Sequence, residues 1–198
     1  MRLNQDLAWI DAHSRAWSIS RERFFTPEQL RNNMLNTEVE IRTRDGTRTV
    51  TEAEAWLRSS GRRTYRDLVF RPGEGDEVDG CLNLWRGWTV PTVAGGITPW
   101  SELLAYIFNG DAKQIRWFEQ WAAFPIQNPG SKLNVAVVFW SAAQGVGKSL
   151  IGQTLGKLYE PHFRVITAAE LHGAFNGWAR DVTFVLGEEN SSGDHNIS

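Results

Sequence analysis

Cysteine is nearly absent from this sequence, because Cys81 is its only representative among 198 residues. An intramolecular disulfide is therefore excluded, and no group of Cys and His residues has the spacing of zinc ligands. The sequence also lacks an apolar run long enough to cross a bilayer, and polar residues follow Met1 where a signal peptide would be apolar. From these absences we expect a soluble, cytoplasmic protein that does not bind a membrane.

Lysine is missing from the first 72 residues, which instead hold 13 Arg beside 10 acidic residues and carry a net charge of +3. The remaining residues carry −5, so the whole chain has a net charge of −2. Guanidinium groups suit phosphate, and this Arg-rich part is compatible with nucleic-acid contact. The acidic residues mixed among the arginines favour a solvated charged surface over such contact.

Aromatic residues are abundant, with ten Trp, ten Phe and three Tyr. Such side chains bury large areas, so this abundance favours packing in a core. Stacking on nucleic-acid bases is the alternative, and it would require aromatic and basic side chains to share one surface.

The first 80 residues predict a small α+β region. Leu3, Leu7, Ile10 and Trp17 are spaced like one face of a helix. Thr26, with Gln29 three positions later, predicts a capped helix that ends near residue 33. Alternating apolar and polar residues on both sides of Asp45-Gly46 predict a hairpin over residues 39–50, and a helix capped by Thr51 follows it.

Residues 81–130 predict a mainly helical segment. Short strands are expected just before this segment, at 68–70, and at its start, at 82–85. Gly and Pro are frequent from residue 71 to residue 96. A helix is expected after Pro99. Asp111, with Gln114 three positions on, predicts the start of a second helix, which Pro125 should help to close.

Residues 131–198 contain the sequence motif that predicts a ligand-binding site. Residues 133–139 are apolar and β-branched, which is typical of a buried parallel strand. A glycine-containing loop follows, and then a helical pattern through Leu155 and Leu158. A strand, a loop and a helix in this order form the context of a phosphate-binding P-loop.

The loop predicts an ATP site because each residue type suits a triphosphate. Small residues let the backbone N–H groups curl around phosphates, and the helix N-terminus adds its dipole. Lys148 is expected to neutralise the β- and γ-phosphates during catalysis, and Ser149 to offer a hydroxyl to Mg²⁺. The first position is Ala142, where the usual pattern has Gly. The predicted nucleotide-binding residues are Ala142, Ala143, Gln144, Gly145, Val146, Gly147, Lys148, Ser149 and Leu150.

An acidic pair follows a second predicted strand, at residues 182–186. Carboxylates at the end of a parallel strand face the ligand crevice, so Glu188 is expected to hold Mg²⁺ directly or through water. Glu189 is expected to orient or deprotonate the attacking water. The alternative is a solvated turn. Between the two motifs lie a predicted strand at 163–166 and a helix capped by Thr167.

Residues 82–195 resemble the ATPase segment of phage and plasmid primase-helicases, the poxvirus-type superfamily 3 helicases and their relatives. The matching pieces are Leu82–Trp88, the helix pair around Trp100–Trp121, Ala122–Pro129, the loop Gln144–Ser149, Phe175-Asn176 and Phe184–Glu189. The resemblance implies an α/β fold, an AAA+-like P-loop NTPase built on a parallel sheet, that binds ATP and Mg²⁺ and acts as a DNA replication helicase. It further implies a homo-oligomeric ring, a hexamer, that moves along single-stranded DNA, in the bacterial host cytoplasm if the protein is phage-encoded. Residues 1–80 would then be an adapter or primase-linked region, without a chemical motif of their own.

The sequence departs from that family after the acidic pair. The further core strands, the polar sensor residue and the arginine finger of a complete domain are not found before Ser198, so we expect an ATPase core that is incomplete at its C-terminus. Two other functions stay open at this point. One is a different P-loop motor or a nucleotide kinase, and the other is a truncated, non-catalytic nucleotide-binding module.

Overall fold

A computed structural model describes residues 2–43, 46–142, 145–174 and 176–188 of the chain. The protein has a mixed α/β fold with four small sheets in this part of the chain. It divides into two compact units, the first made of Met1–Val69 and Gly75–Leu84 and the second of Phe70–Glu74 and Trp85–Ser198. Within the described ranges, no helix combines the length and the apolar character that crossing a bilayer requires.

The first unit is built around a four-stranded sheet with the order β3-β2-β1-β6. Its strands are β1 (Leu7–Ile10), β2 (Arg15–Ser18), β3 (Arg23–Phe25) and β6 (Thr64–Tyr65). Strand β1 pairs antiparallel with β2 and parallel with β6. The helix expected from the apolar spacing of the first 25 residues is therefore wrong. Three of the four residues of β1 are buried, so the alternation that marks a half-exposed strand is missing from it.

Two helices and a hairpin complete this unit as the sequence predicts. Helix α1 (Pro27–Asn33) begins at a full capping box between Thr26 and Gln29. Strands β4 (Glu38–Thr43) and β5 (Gly46–Thr51) pair antiparallel, and helix α2 (Glu52–Arg58) follows them. The core of the unit joins the four-stranded sheet to both helices. It is formed by Leu7, Ala16, Phe25, Leu30, Ala53 and Trp56.

Asn4 ties the beginning of the chain to the end of this unit. Its Oδ1 accepts hydrogen bonds from Trp56 Nε1 at 2.8 Å and from the Arg63 amide at 3.1 Å, and its Nδ2 donates to the Gly61 carbonyl at 2.8 Å. One side chain thus satisfies three polar groups that lie more than fifty positions away along the chain. A second sheet, with the order β7-β9-β8, consists of Leu68–Val69, Cys81–Asn83 and Glu77–Val78 respectively.

The second unit holds α3 (Thr98–Ile107), α4 (Ala112–Gln127), α5 (Lys148–Leu158), β10 (Phe163–Ile166), α6 (Ala168–His172) and β11 (Phe184–Gly187). Asp111 caps α4 as predicted, and its side chain accepts bonds from the amides of Lys113 and Gln114. Helix α4 does not close at Pro125, however, and continues for two residues beyond it. Residues Leu104, Phe118, Ala122, Ile151 and Leu155 form the core, which joins α3, α4 and α5.

The predicted strand over residues 133–139 is not formed. Residues 131–141 belong to no helix or strand, and β10 and β11 pair only with each other in the described part of the chain. Val137 and Phe139 pack against the core, whereas Val138 and Trp140 are each 85% exposed. The alternation of a strand is therefore present in the side chains, but a strand also needs a backbone ladder with a neighbour. The P-loop parallel sheet expected from the sequence is not observed in the described residues, where β10 and β11 form a two-stranded parallel sheet.

Tyr159 and His162 anchor the segment between α5 and β10. The Tyr159 hydroxyl donates to the Ala122 carbonyl of α4 at 2.5 Å, and its ring stacks on Phe184 of β11. His162 is buried and stacks on Trp85. Its Nε2 accepts a bond from the Arg86 amide, so Nδ1 carries the proton and donates to the Asp181 carbonyl at 2.9 Å. These contacts set the position of β10 and, through it, of β11.

Candidate functional site: the loop before helix α5

Two glycines shape the loop that precedes α5. Gly145 has a φ of 74° and Gly147 a φ of 91°, both in the left-handed region where a side chain is strained. A Cβ on Gly147 would also lie 3.1 Å from Leu103 Cδ1 of α3. The loop therefore needs glycine at position 147 for two reasons, its backbone conformation and its close approach to α3.

Helix α5 begins with the residues of the predicted motif, since Gly147 is its N-cap and Lys148 its first residue. Gly147 has no side chain with which to cap the amides of the first turn, in contrast to Thr26, Thr51, Asp111 and Thr167 at other helix starts. The first amides of a helix lack a carbonyl partner within it, and the helix dipole favours negative charge there. This end of α5 is suited to an anion.

Lys148 is held at the mouth of the loop. Its Nζ donates to Ser141 Oγ at 2.5 Å, and Ser141 stands on the segment that leads into the loop. The lysine thereby bridges the two ends of the loop, from residue 141 to the first turn of α5.

Glu188 follows directly after β11, as predicted, and its side chain reaches α5. Its amide donates to the Ile166 carbonyl of β10 at 3.2 Å, which fixes its backbone. Its Oε1 accepts a hydrogen bond from Gln153 Nε2 at 3.0 Å. Gln153 is one turn after Ser149 on the same face of α5. The structure thus bonds Glu188 to the residue that lies one helical turn after Ser149.

The other predicted residues are distributed as follows. Ala142 lies on the exposed approach to the loop, Val146 is half-buried, and the Leu150 side chain is 54% exposed. Ala143, Gln144 and the predicted catalytic Glu189 lie outside the described residues.

The donor set suits Mg²⁺ rather than zinc. In the described ranges, no three His, Cys, Asp or Glu side chains are grouped as a metal site. Magnesium prefers oxygen ligands and is commonly held by one or two protein groups together with phosphate oxygens and water. One hydroxyl, from Ser149, and one carboxylate, from Glu188, match that requirement beside an anion-binding helix end.

Two contacts of the site were not expected from the sequence. Gln153 and Ser141 both bond to predicted functional residues, although the sequence motif predicts no role for either of them. The spacing of four between Ser149 and Gln153 is the signal that places Gln153 on the functional face of the helix. Its contact with Glu188 joins residues 35 positions apart and depends on the tertiary fold.

Comparison with known proteins gives a fold and no family. No family model matches the chain, and no curated protein matches it either. Among solved structures, an apo structure of the NrS-1 C terminal region is similar, with a TM-score of 0.61 and 20% identity over 91% of this chain and 42% of that one. Two further apo structures of this region have TM-scores of 0.56, with identities of 23% and 22%. They cover 76% and 81% of this chain. At these identities the similarity establishes the fold alone.

The chain spans less than half the length of these structural neighbours, with 42%, 40% and 46% of each neighbour covered. Any conclusion about the function of this chain therefore rests on the residues of its own candidate site.

Proposed function

We propose that this chain is the ATP-binding segment of a P-loop ATPase that drives a DNA replication helicase of the phage primase-helicase type. One observation carries the proposal. Gly147, with its φ in the left-handed region, is the N-cap of α5, and Lys148 and Ser149 are the first residues of the helix. Glu188, which follows β11, bonds to Gln153 on the same face one turn after Ser149. A cation and a hydroxyl thus lie at a helix end that suits an anion, and a carboxylate lies at the second turn, which supports a site for a magnesium-bound triphosphate.

Each residue has a defined task in this mechanism. The amides of the loop and of the first turn of α5 hold phosphate oxygens, and Lys148 neutralises charge that develops on them. Ser149 and Glu188 would hold Mg²⁺, which would supply charge neutralisation to the phosphates. Glu189 orients a water molecule in line with the phosphorus atom and accepts its proton.

The helicase assignment rests on the motif combination described in the sequence. We propose single-stranded DNA as the partner of the complete protein and a homo-oligomeric ring, a hexamer, as its assembly, working in the cytoplasm. The similarity to the NrS-1 C terminal region supports the proposal at the level of the fold alone.

Nucleotide binding is tested first, on the chain itself. Lys148→Ala is expected to weaken binding of ATP by about tenfold or more, because a charge-assisted hydrogen bond contributes roughly 1.5–3 kcal/mol. Lys157→Ala removes an exposed lysine at the other end of the same helix and serves as the control. Isothermal titration calorimetry measures both. Equal affinities of wild type and Lys148→Ala would refute the site, and so would a wild-type chain that binds no ATP.

Hydrolysis is tested next, in the complete protein with and without single-stranded DNA. Glu189→Gln is expected to keep ATP binding but to lose turnover, since the amide cannot accept the proton of the attacking water. Stimulation of wild-type turnover by single-stranded DNA favours a helicase or another DNA motor over a nucleotide kinase. Tight binding without turnover, even with DNA, would instead identify a non-catalytic nucleotide-binding module.

A further inference from the structure

The side-chain contact between α5 and the end of β11 deserves a functional explanation. Gln153 Nε2 donates to Glu188 Oε1 at 3.0 Å, and both residues lie at the surface, where water competes for the same groups. A Glu side chain in water samples several rotamers, each of which points the carboxylate in a different direction. The Gln153 amide selects the rotamers that turn the Glu188 carboxylate toward α5.

The chemistry of the partner matters as much as its position. A carboxylate has two oxygens and about four lone-pair sites, so one amide N–H leaves most of its acceptor capacity available. An amide is also uncharged, and it orients the carboxylate without neutralising it. A lysine at the same position would hold the carboxylate equally well but would compete with a divalent cation for its negative charge.

The residue that orients the Glu188 carboxylate lies on the same face of α5 as Ser149. Ser149 and Gln153 are four residues apart and share one face, separated by one turn, a rise of about 5.4 Å. Such a separation suits two side chains that hold one ion between them directly or through its water ligands.

The closeness of α5 and β11 is itself built into the fold. Gly152 faces Leu186 of β11 so closely that a Cβ on the glycine would overlap the leucine methyl groups. The backbone of Glu188 is fixed by its bond to Ile166. Both ends of the Gln153–Glu188 bond therefore start from positions set by packing, which is a condition for orienting a ligand rather than only touching it.

We propose that Gln153 is a positioning residue that holds the Glu188 carboxylate toward Ser149 in readiness for Mg²⁺. The proposal rests on the proposed function, since it assigns a role within the same site. Outer partners of metal ligands commonly change metal affinity by about 10–100-fold when removed. Gln153 would act on the magnesium dependence of nucleotide binding and leave the magnesium-free affinity unchanged.

The test measures binding of a non-hydrolysable ATP analogue to the 198-residue chain, in EDTA and across a MgCl₂ titration. Gln153→Leu removes the hydrogen bond at similar volume, and Gln153→Lys keeps a bond to Glu188 while countering its charge. We expect both variants to match wild type in EDTA, and both to raise the half-saturating Mg²⁺ concentration by about tenfold. Thr154→Ala, at the exposed neighbouring position, is the matched control and should titrate as wild type.

Two further measurements separate positioning from a merely structural link. Thermal melts should show Gln153→Lys close to wild type, because α5 stays bonded to Glu188. In a Glu188→Gln background, adding Gln153→Leu should produce no further change in the Mg²⁺ titration, since the oriented carboxylate is already gone.

The inference is overturned if Gln153→Leu and Gln153→Lys both titrate as wild type while the wild-type chain shows a magnesium-dependent gain in affinity. That result leaves the proposed function intact. A wild-type chain that binds no analogue in EDTA or in Mg²⁺ refutes the proposed function, and this inference with it.

Discussion

Tyr159 illustrates how one buried polar group links the elements around the site. Its hydroxyl donates to the Ala122 carbonyl, its ring stacks on Phe184, and the side chain is almost completely buried. Burial raises the pKa of Tyr159 from 10.0 to about 12. The phenol is therefore neutral and hydrogen-bonded in the folded chain at every pH below that value.

Tyr159→Phe is expected to lower the free energy of unfolding by about 1–3 kcal/mol at pH 8, because the Ala122 carbonyl loses its partner in a buried place. The pH dependence has a definite sign. The stability that the raised pKa contributes is complete below pH 10 and is lost as pH rises toward about 12, since the unfolded phenol ionises first. Urea unfolding of both proteins should show their difference narrowing over that interval. A constant difference from pH 8 to pH 12 would contradict the assignment.

His162 makes a comparable link with a different chemistry. Both ring nitrogens are bonded, Nε2 to the Arg86 amide and Nδ1 to the Asp181 carbonyl, and the ring stacks on Trp85. His162→Phe keeps the stacking and leaves two backbone groups without their bonds. We expect a loss of about 1–3 kcal/mol in the free energy of unfolding. Chemical denaturation measures this, and an unchanged midpoint would show that water replaces the ring nitrogens.

At the scale of elements, α5 shows packing prevailing over helix propensity. Gly152 and Gly156 lie four residues apart inside the helix, where alanine would be favoured by about 1 kcal/mol. Both glycines face the sheet, however. A Cβ on Gly156 would overlap the ring of Phe163 in β10. The two glycines therefore let the helix lie close to β10 and β11, which is how Gln153 comes within reach of Glu188.

Gly156→Ala is accordingly expected to lower the free energy of unfolding by about 1–3 kcal/mol, against its helix propensity, because the methyl group overpacks the interface. Phe163→Leu should relieve part of that cost, so a double-mutant cycle of the two should give a favourable coupling. Thr154→Ala on the exposed side of α5 is the control and should be neutral or slightly stabilising. A stabilising effect of Gly156→Ala would show that the helix has room to move away.

The elements also show which parts of the fold are predictable. The starts of α1, α4 and α6 follow from Thr26, Asp111 and Thr167, because a cap and its amide partners lie within three residues. The spacing of Leu3, Leu7, Ile10 and Trp17 wrongly predicts a helix over the first two strands, since their pairing, for example Trp9 with Ala16, depends on contacts outside any local pattern. For the same reason the sequence predicts Lys148, Ser149 and Glu188 as site residues but does not predict the Gln153–Glu188 contact.

At the scale of the whole molecule, the two units have separate cores, one centred on the helices α1 and α2 and the other on α3, α4 and α5. Asn4 links distant parts of the first unit through three hydrogen bonds. In the second unit, Tyr159 links the end of α5 to α4 through its hydrogen bond to the Ala122 carbonyl. Neither residue shares a partner with the other.

Asn4→Ala should lower stability by about 1–3 kcal/mol because its three partners lose their bonds. Combined with Tyr159→Phe, its effect is expected to add to within about 0.5 kcal/mol, as for independent sites. Circular dichroism follows the unfolding of the wild type, both single variants and the double variant. The four free energies of unfolding give the coupling free energy between the two residues. A coupling well above that value would show that the two residues are not energetically independent.

The segment that carries Val138 and Trp140 has a practical consequence for such measurements. Both side chains are 85% exposed in the folded chain, so environment-sensitive dyes that bind apolar surface have a place to bind before any unfolding. In a dye-based melting curve, the fluorescence of the folded chain would already be high, so the increase on unfolding would be small. Detergent in a purification buffer would be drawn to the same place, beside the loop that leads to Lys148.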